Sequence, residues 1–391
     1  MIRVLYDQIG FSETHGGVSR LFAEVMRNLP QGIEWQLGLV CSNNVYLQNP
    51  PFSLPPPKCT LRDFIQNTLH GHCFAGVRHV YRMLARMMPG KFPSGELANE
   101  RAFQELCRRG DFDILHLTTA HPNLDNWSSI VGKKPIVATV VDLIPDMLYH
   151  AKRVMRFRSK LLTDASHIIA ISENTKRDLM RLYQVAEDKI SVIYLGYNAS
   201  QGDAEVADAI LAHFGLTKKK YFLYVGKRNG YKNFDWMVKA IAPILKDGIR
   251  LFCTGTPFNA EELAIFDQLR IRDNVVQSFV SDAEMSALFR NAAAFVHPSL
   301  YEGFGIPLLD AFASSCPALV SNASCLPEIG GDAALYFDPH DSDDLCRKAA
   351  EILNDGGLRE TLVQRGGERV KLFSWTKCAS ATADVYRKLC G

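Results

Sequence analysis

The chain has 391 residues, 47% of them apolar, which suffices for two core-forming domains with a pocket between them, and its formal charge of +2 carries no chain-wide signal for nucleic acid. Its ten cysteines are scattered, with no Cys-x-x-Cys pair and no histidine at zinc-ligand spacing, so free thiols in a reducing compartment are expected. No leader with a long apolar segment follows Met1, and no apolar run approaches the roughly 20 residues that span a bilayer; a cytoplasmic protein is expected, with any membrane contact peripheral.

In chain order, a strand over 2–6 leads through His15, Gly16 and Gly17 into a segment whose apolar residues at 18, 21, 22, 25, 26 and 29 share one helical face. Further buried strands are expected over 33–41, 114–117, 135–141, 167–171 and 190–194. A polar stretch at 201–205 breaks the pattern before a new strand, 221–225, opens a second half that continues with 249–253, 275–279, 294–296 and 317–321. A helix over 375–389 closes the series. Strand, glycine loop and helix, opened twice, is how α/β domains with parallel sheets are written. We therefore place one domain over 1–200 and a second over 201–375, with the terminal helix, 376–391, joined to the first.

Three stretches stand outside this pattern. The proline-rich segment 50–60 is expected to be a stiff exposed loop. Residues 77–88 spell an amphipathic helix with Arg78, His79, Arg82 and Arg86 on its polar side, which either packs on the sheet or lies on an anionic membrane. Lys152, Arg153, Arg156, Arg158 and Lys160 form a second basic cluster over 152–160, either solvated or placed to meet an acceptor's lipid phosphate.

The most informative stretch is HPSLYEGFGIPLLDAFASS at 297–315, in which the acids Glu302 and Asp310 flank a Gly-Phe-Gly-Ile-Pro turn between strand and helix. Gly303 and Gly305 let the backbone approach a ligand, and Pro307 suits the first helical turn, where its missing N–H would be unpaired anyway. Free N–H groups at such a helix start attract phosphate, and the acids are suited to hydroxyls and diols. Upstream, YFLYVGKRNGYKNF at 221–234 ends a strand in Lys227, Arg228 and Lys232, cations placed to stabilise a departing nucleotide diphosphate.

With these segments, the chain resembles the family 4 glycosyltransferases of the GT-B fold. The likeness is carried by GGVSRLFAEVMRNL (16–29), TVVDLIPDML (139–148), IAISENTKRDL (169–179), VIYLG (192–196), YVGKRNGYKNF (224–234), HPSLYEGFGIPLLDAF (297–312), SNASCLPEIGGDAALYFDP (321–339) and FSW (373–375). The resemblance implies two Rossmann-like domains facing each other across a cleft. It also implies retaining transfer of a hexose, mannose among the candidates, from a GDP- or UDP-linked donor to a saccharide or lipid-linked saccharide acceptor in cell-surface polysaccharide or glycolipid synthesis. It further places Glu302 near the donor sugar beside the 303–305 backbone (Gly303, Phe304, Gly305) and Ile306, and Asp310, where relatives usually have Glu, at the ribose. Arg228 and Lys232 match the diphosphate clamp, with Lys227 able to take the role of Arg228. Gly16 and Gly17 match the loop that approaches the donor on closure, and Ser324 and Leu326 border the nucleotide. Glu328, which follows them, either shares that border or caps its own helix, and Trp375 starts the segment that crosses back to the first domain.

Many relatives have His-Asp where this chain has Val141 and Asp142, so Asp142 becomes the residue of interest there, either facing the cleft or capping the next turn. His15 and His297 are lesser candidates, His297 being read as packed or turn-bonded. Asp111-Phe-Asp113 resembles a metal-binding Asp-x-Asp pair but directly precedes a strand, and we read it as a turn acid and a strand-edge acid. No metal or other cofactor is expected, since the cations already serve the diphosphate. Two other functions fit the same segments: a GT-B-like sugar epimerase or phosphorylase, and an inactive sugar-binding module.

Overall fold

The computed structural model describes residues 1–57, 95–119, 131–198, 207–228 and 230–391. The first half contributes six strands, β1 (Ile2–Tyr6), β2 (Ile33–Leu37), β3 (Ile114–Leu117), β4 (Ile136–Val140), β5 (His167–Ala170) and β6 (Ile190–Val192), in the order β2-β1-β3-β4-β5-β6. The second contributes β7 (Tyr221–Tyr224), β8 (Arg250–Thr254), β9 (Val275–Ser278), β10 (Ala294–His297), β11 (Ala318–Ser321) and β12 (Leu335–Phe337), in the order β12-β11-β10-β7-β8-β9. All the pairings are parallel. β3, β4, β5, β7, β10 and β11 are buried along their whole length, which is why they read as unbroken apolar runs. β12 was not anticipated: it has three residues, two of them half-buried, too few for a pattern to show.

The helix Gly17–Asn28 buries Leu21, Phe22, Val25 and Met26, the face that its spacing marked out. The helix Trp375–Cys390 returns to pack on that helix and on β1. Its Tyr386 hydroxyl lies 2.6 Å from the Tyr6 hydroxyl and 2.5 Å from His116 Nδ1, while His116 Nε2 bonds Thr139 Oγ1 at 2.8 Å. Burial pushes the His116 imidazole down to about 3, so it is neutral throughout the physiological range. The two chain segments cross at Gly196, where a methyl group would stand 2.2 Å from the Trp375 nitrogen. The expected boundary at 200 and the basic helix expected over 77–88 lie outside the described residues.

Strand order reverses between β1 and β3 in the first sheet and between β7 and β10 in the second. Crevices in open parallel sheets form at the carboxyl ends of the strands at such switch points. Glycines 16 and 17 follow β1, Lys227 to Lys232 follow β7, and Glu302 follows β10.

Replacing Tyr386 by Phe leaves Tyr6 and His116 without their shared partner in a dry core, and is expected to cost about 1–3 kcal/mol of stability, read from urea unfolding. Unchanged unfolding would show that the terminal helix is not held by this network.

Candidate active site

β10 delivers the chain to a loop that is fixed on every side. Gly305 adopts a φ of 88°, in the left-handed region that favours glycine, and caps the helix Ile306–Ala313, whose first turn holds Pro307. The Glu302 N–H donates to Ser324 Oγ at 2.9 Å, and the Cys325 thiol donates to the Glu302 carbonyl at 3.2 Å. Glu302 Oε1 accepts from Lys232 Nζ at 2.6 Å and is 3.0 Å from His297 Nε2. Lys232 arrives on the short turn Gly230–Lys232, which is pinned by a 2.8 Å bond from the Leu300 N–H to the Tyr231 carbonyl. Burial opposes the charge on Glu302, but His297 and Lys232 outweigh it and hold the carboxyl down at about 2. His297 is thus bonded to the key acid, a partner that its place in the sequence did not reveal.

The first domain meets this loop closely. A methyl group on Gly303 would lie 2.1 Å from the Val141 carbonyl oxygen and 3.1 Å from Asp142 Cβ. Asp142 Oδ1 accepts the Ile144 N–H at 3.1 Å, so the residue beside the loop also caps the following turn. Burial pushes its carboxyl up, and the neighbouring charge of Glu302 adds to the shift. Two acids whose pKa values are shifted in opposite directions therefore share one cleft. Elsewhere across the cleft, Ile306 Cδ1 is 3.9 Å from the place a methyl on Gly17 would take, and Tyr301 donates to Asp178 Oδ2 at 2.7 Å. Gly16 precedes Gly17 in an extended conformation and caps the helix Gly17–Asn28.

Several side chains lie differently from their expected roles. Arg228 is engaged by other groups of the second domain: its Nε donates to Glu262 Oε1 at 2.6 Å, and Nη2 bonds the carbonyls of Thr256 and Pro257 at 2.7 and 3.0 Å. Both side chains of that pair are 6% exposed, and the guanidinium also stacks on Phe258. The distant carboxylate captures it because a buried guanidinium needs a partner. Lys227 is the exposed cation of the cluster. The Phe304 ring is buried against Phe373 and Tyr194, and Leu326 is buried beside Gly305. Asp310 is hydrogen-bonded to Tyr197, with Arg20 nearby, while burial pushes its carboxyl up. Glu328 caps a helix, but not its own: its two oxygens accept the N–H groups of Glu173 and Asn174 at 2.6 and 3.0 Å, at the start of the first-domain helix Glu173–Tyr183. Arg158 leaves the exposed basic cluster, being buried with Asp146 at 3.1 Å.

Asp113 lies just before β3, at the opposite end of the sheet from the cleft, where Oδ2 accepts the Arg3 N–H at 2.8 Å. Among the described residues, no group of three or more His, Cys, Asp or Glu is placed to hold a metal.

Paired parallel sheets with this loop between them define a two-domain, Rossmann-like α/β protein of the GT-B fold. The family description Glycosyltransferase Family 4 matches residues 56–201, and Glycosyl transferases group 1 matches 208–369, which together span most of the chain. The chain belongs to the family 4 type of glycosyltransferase. It is 29% identical over 253 residues to O-antigen chain mannosyltransferase B of Escherichia coli, covering 62% of this chain and 66% of that one, just under two thirds of the relative's length. To the MMP alpha-(1->4)-mannosyltransferase of Mycolicibacterium hassiacum it is 25% identical over 386 residues, covering 92% and 88%. The fold of Anabaena Alr3699/HepE, solved in complex with UDP and glucose, superposes with a TM-score of 0.73 over 99% of this chain and 100% of that one, at 13% identity.

A carboxyl whose pKa is lowered on folding stabilises the native state above its unfolded value and loses that contribution as pH falls toward the folded one. For Glu302 that window runs from about 4.5 down to about 2. Carboxyl-carbon NMR is expected to show Glu302 still ionised at pH 4 and Lys232→Met raising its midpoint; an ordinary midpoint unaffected by Lys232→Met would contradict the geometry.

Proposed function

We propose that the protein transfers a hexose, with mannose favoured, from a nucleotide-diphosphate sugar to a saccharide or lipid-linked saccharide acceptor, with retention of configuration at the anomeric carbon. The observation that carries this reading is Glu302, held ionised by Lys232 and His297 at the switch point of the second sheet and facing Asp142 across a closed cleft. The names of the mannosyltransferase relatives support the sugar class.

In this reading Glu302 and the backbone of Gly303 to Ile306 bind the donor sugar's hydroxyls. Lys232 spends one of its three donors on Glu302, which leaves two for the diphosphate, and Lys227 and the Gly16–Gly17 loop supply the rest. Arg228 and Ser324 position this machinery: the first braces the loop after β7, the second holds the Glu302 backbone. Asp310, with Tyr197, receives the ribose diol. The bond from the anomeric carbon to the phosphate oxygen breaks, the acceptor oxygen bonds the same carbon from the same face, and the acceptor's proton passes to the leaving phosphate oxygen. Asp142 orients the acceptor hydroxyl. With lysines to neutralise the departing diphosphate, the reaction proceeds without a metal.

No helix among the described residues is long and apolar enough to cross a membrane. For a lipid-linked acceptor, we place peripheral contact with anionic lipid at Lys152, Arg153 and Arg156, the last two of which flank the Phe157 ring.

Lys232→Ala is expected to lower the turnover number for hexose transfer by about a hundred- to a thousandfold, the usual cost of one preorganised donor. Transfer in the parent should survive EDTA. Unchanged turnover in Lys232→Ala, or activity abolished by EDTA and restored by magnesium or manganese, would overturn the corresponding part; nucleotide release at full rate without any acceptor would favour an epimerase- or phosphorylase-like reaction.

A further inference from the structure

Two tyrosines from different domains meet at this cleft, and neither has a task in the donor chemistry. Tyr149 follows the helix Ile144–Met147 of the first domain and is 57% exposed. Its hydroxyl stands 3.2 Å from where a methyl on Gly230 would lie, so it reaches the second domain's turn Gly230–Lys232. Tyr231 is the next residue on that turn. Its backbone is fixed by the Leu300 N–H, and Lys232 Nζ, the same nitrogen that bonds Glu302, lies 5.1 Å from its ring centre. Burial pushes the Tyr231 hydroxyl up to about 12, and the charges of Glu302 and Asp142 and Tyr149 add to the shift.

The chemistry of this corner differs from that of the donor side. Phosphate needs cations and free N–H groups, and those follow β7 and begin the helices Gly17–Asn28 and Ile306–Ala313. Aromatic rings with hydroxyl tips suit a neutral polyol ring instead, whose C–H face packs on the aromatic surface while its hydroxyls meet the polar tips. Lys232 links the Tyr231 ring to Glu302, and Tyr149 brings the first domain against the same turn, which puts such a ring close to the reacting centre.

We propose that Tyr149 and Tyr231 form the acceptor subsite and that it takes a pyranoside ring. The inference rests on the glycosyl-transfer reading above, and it adds that the subsite is built from both domains. Acceptor binding therefore requires the arrangement in which Tyr149 reaches Gly230.

The test uses the full chain with saturating UDP or GDP, and saturation-transfer NMR with methyl α-D-mannopyranoside, methyl α-D-glucopyranoside and methyl α-D-galactopyranoside as probes. At least one glycoside should show saturation of its ring protons. Tyr149→Ala and Tyr231→Ala should each weaken its binding by about two- to tenfold, the range of one aromatic packing interaction. Tyr149→Phe and Tyr231→Phe should largely restore it, and the thermal shift produced by the nucleoside diphosphate should be the same in all four variants and the parent. Glycoside binding unchanged in both alanine variants, or no glycoside bound by the parent, would overturn the subsite while leaving the donor site standing. Loss of the nucleotide shift in the alanine variants would assign the tyrosines to donor binding or to the fold and so overturn it as well. A parent that shows no nucleotide shift would remove the donor reading itself.

Discussion

The close approach of Gly303 to the Val141 carbonyl is the constraint on which the arrangement depends. A side chain at 303 would meet that oxygen at 2.1 Å, far inside contact distance, so the loop after β10 reaches the end of β4 only because the residue is glycine. That approach brings Glu302 beside Asp142, and the remaining cross-domain contacts agree with it. Glu328 binds the start of the helix Glu173–Tyr183, Tyr301 binds Asp178, and Ile306 reaches Gly17. Gly303 and Ile306 belong to the loop that would hold the sugar, so closure runs partly through the site, while the contact of Glu328 lies outside it.

Within the closed cleft, electrostatics divides the labour. Glu302 is kept ionised despite burial because two donors converge on one oxygen, whereas burial and the neighbouring charge of Glu302 push the Asp142 carboxyl up. A permanently charged acid suits hydroxyl recognition and the positive charge that develops at an anomeric carbon. The cations are similarly sorted: Lys232 binds Glu302 and Lys227 is exposed, while Arg228 is spent on Glu262 and two carbonyls.

Much of this was legible in the sequence. Strands buried on both faces write themselves as apolar runs, and the Gly-Phe-Gly-Ile-Pro turn announces a strand-to-helix junction through backbone requirements that few other residues meet. What stayed hidden depends on partners far away in the chain. Arg228 lies in the sequence among the cations expected at the phosphates, yet Glu262, on a helix that begins 32 residues later, captures it. The helix that Glu328 caps lies in the other domain, and Phe304 belongs to an aromatic cluster with Phe373 that only the chain crossover assembles. Local spacing reports which groups are available; it does not report which distant group takes them. The short edge strand β12 escaped for a simpler reason, having too few residues to display a period.

The central claim is that a nucleotide sugar binds with its hexose on Glu302 and its diphosphate on Lys227 and Lys232. A crystal structure of the protein with a non-hydrolysable GDP- or UDP-hexose tests it most directly. The account predicts sugar hydroxyls on Glu302 and the 303–306 backbone, the diphosphate between the lysines and the Gly16–Gly17 loop, and Arg228 still bound to Glu262. A diphosphate held instead by Arg228 freed from Glu262, or a nucleotide bound away from the β7 and β10 loops, would contradict it.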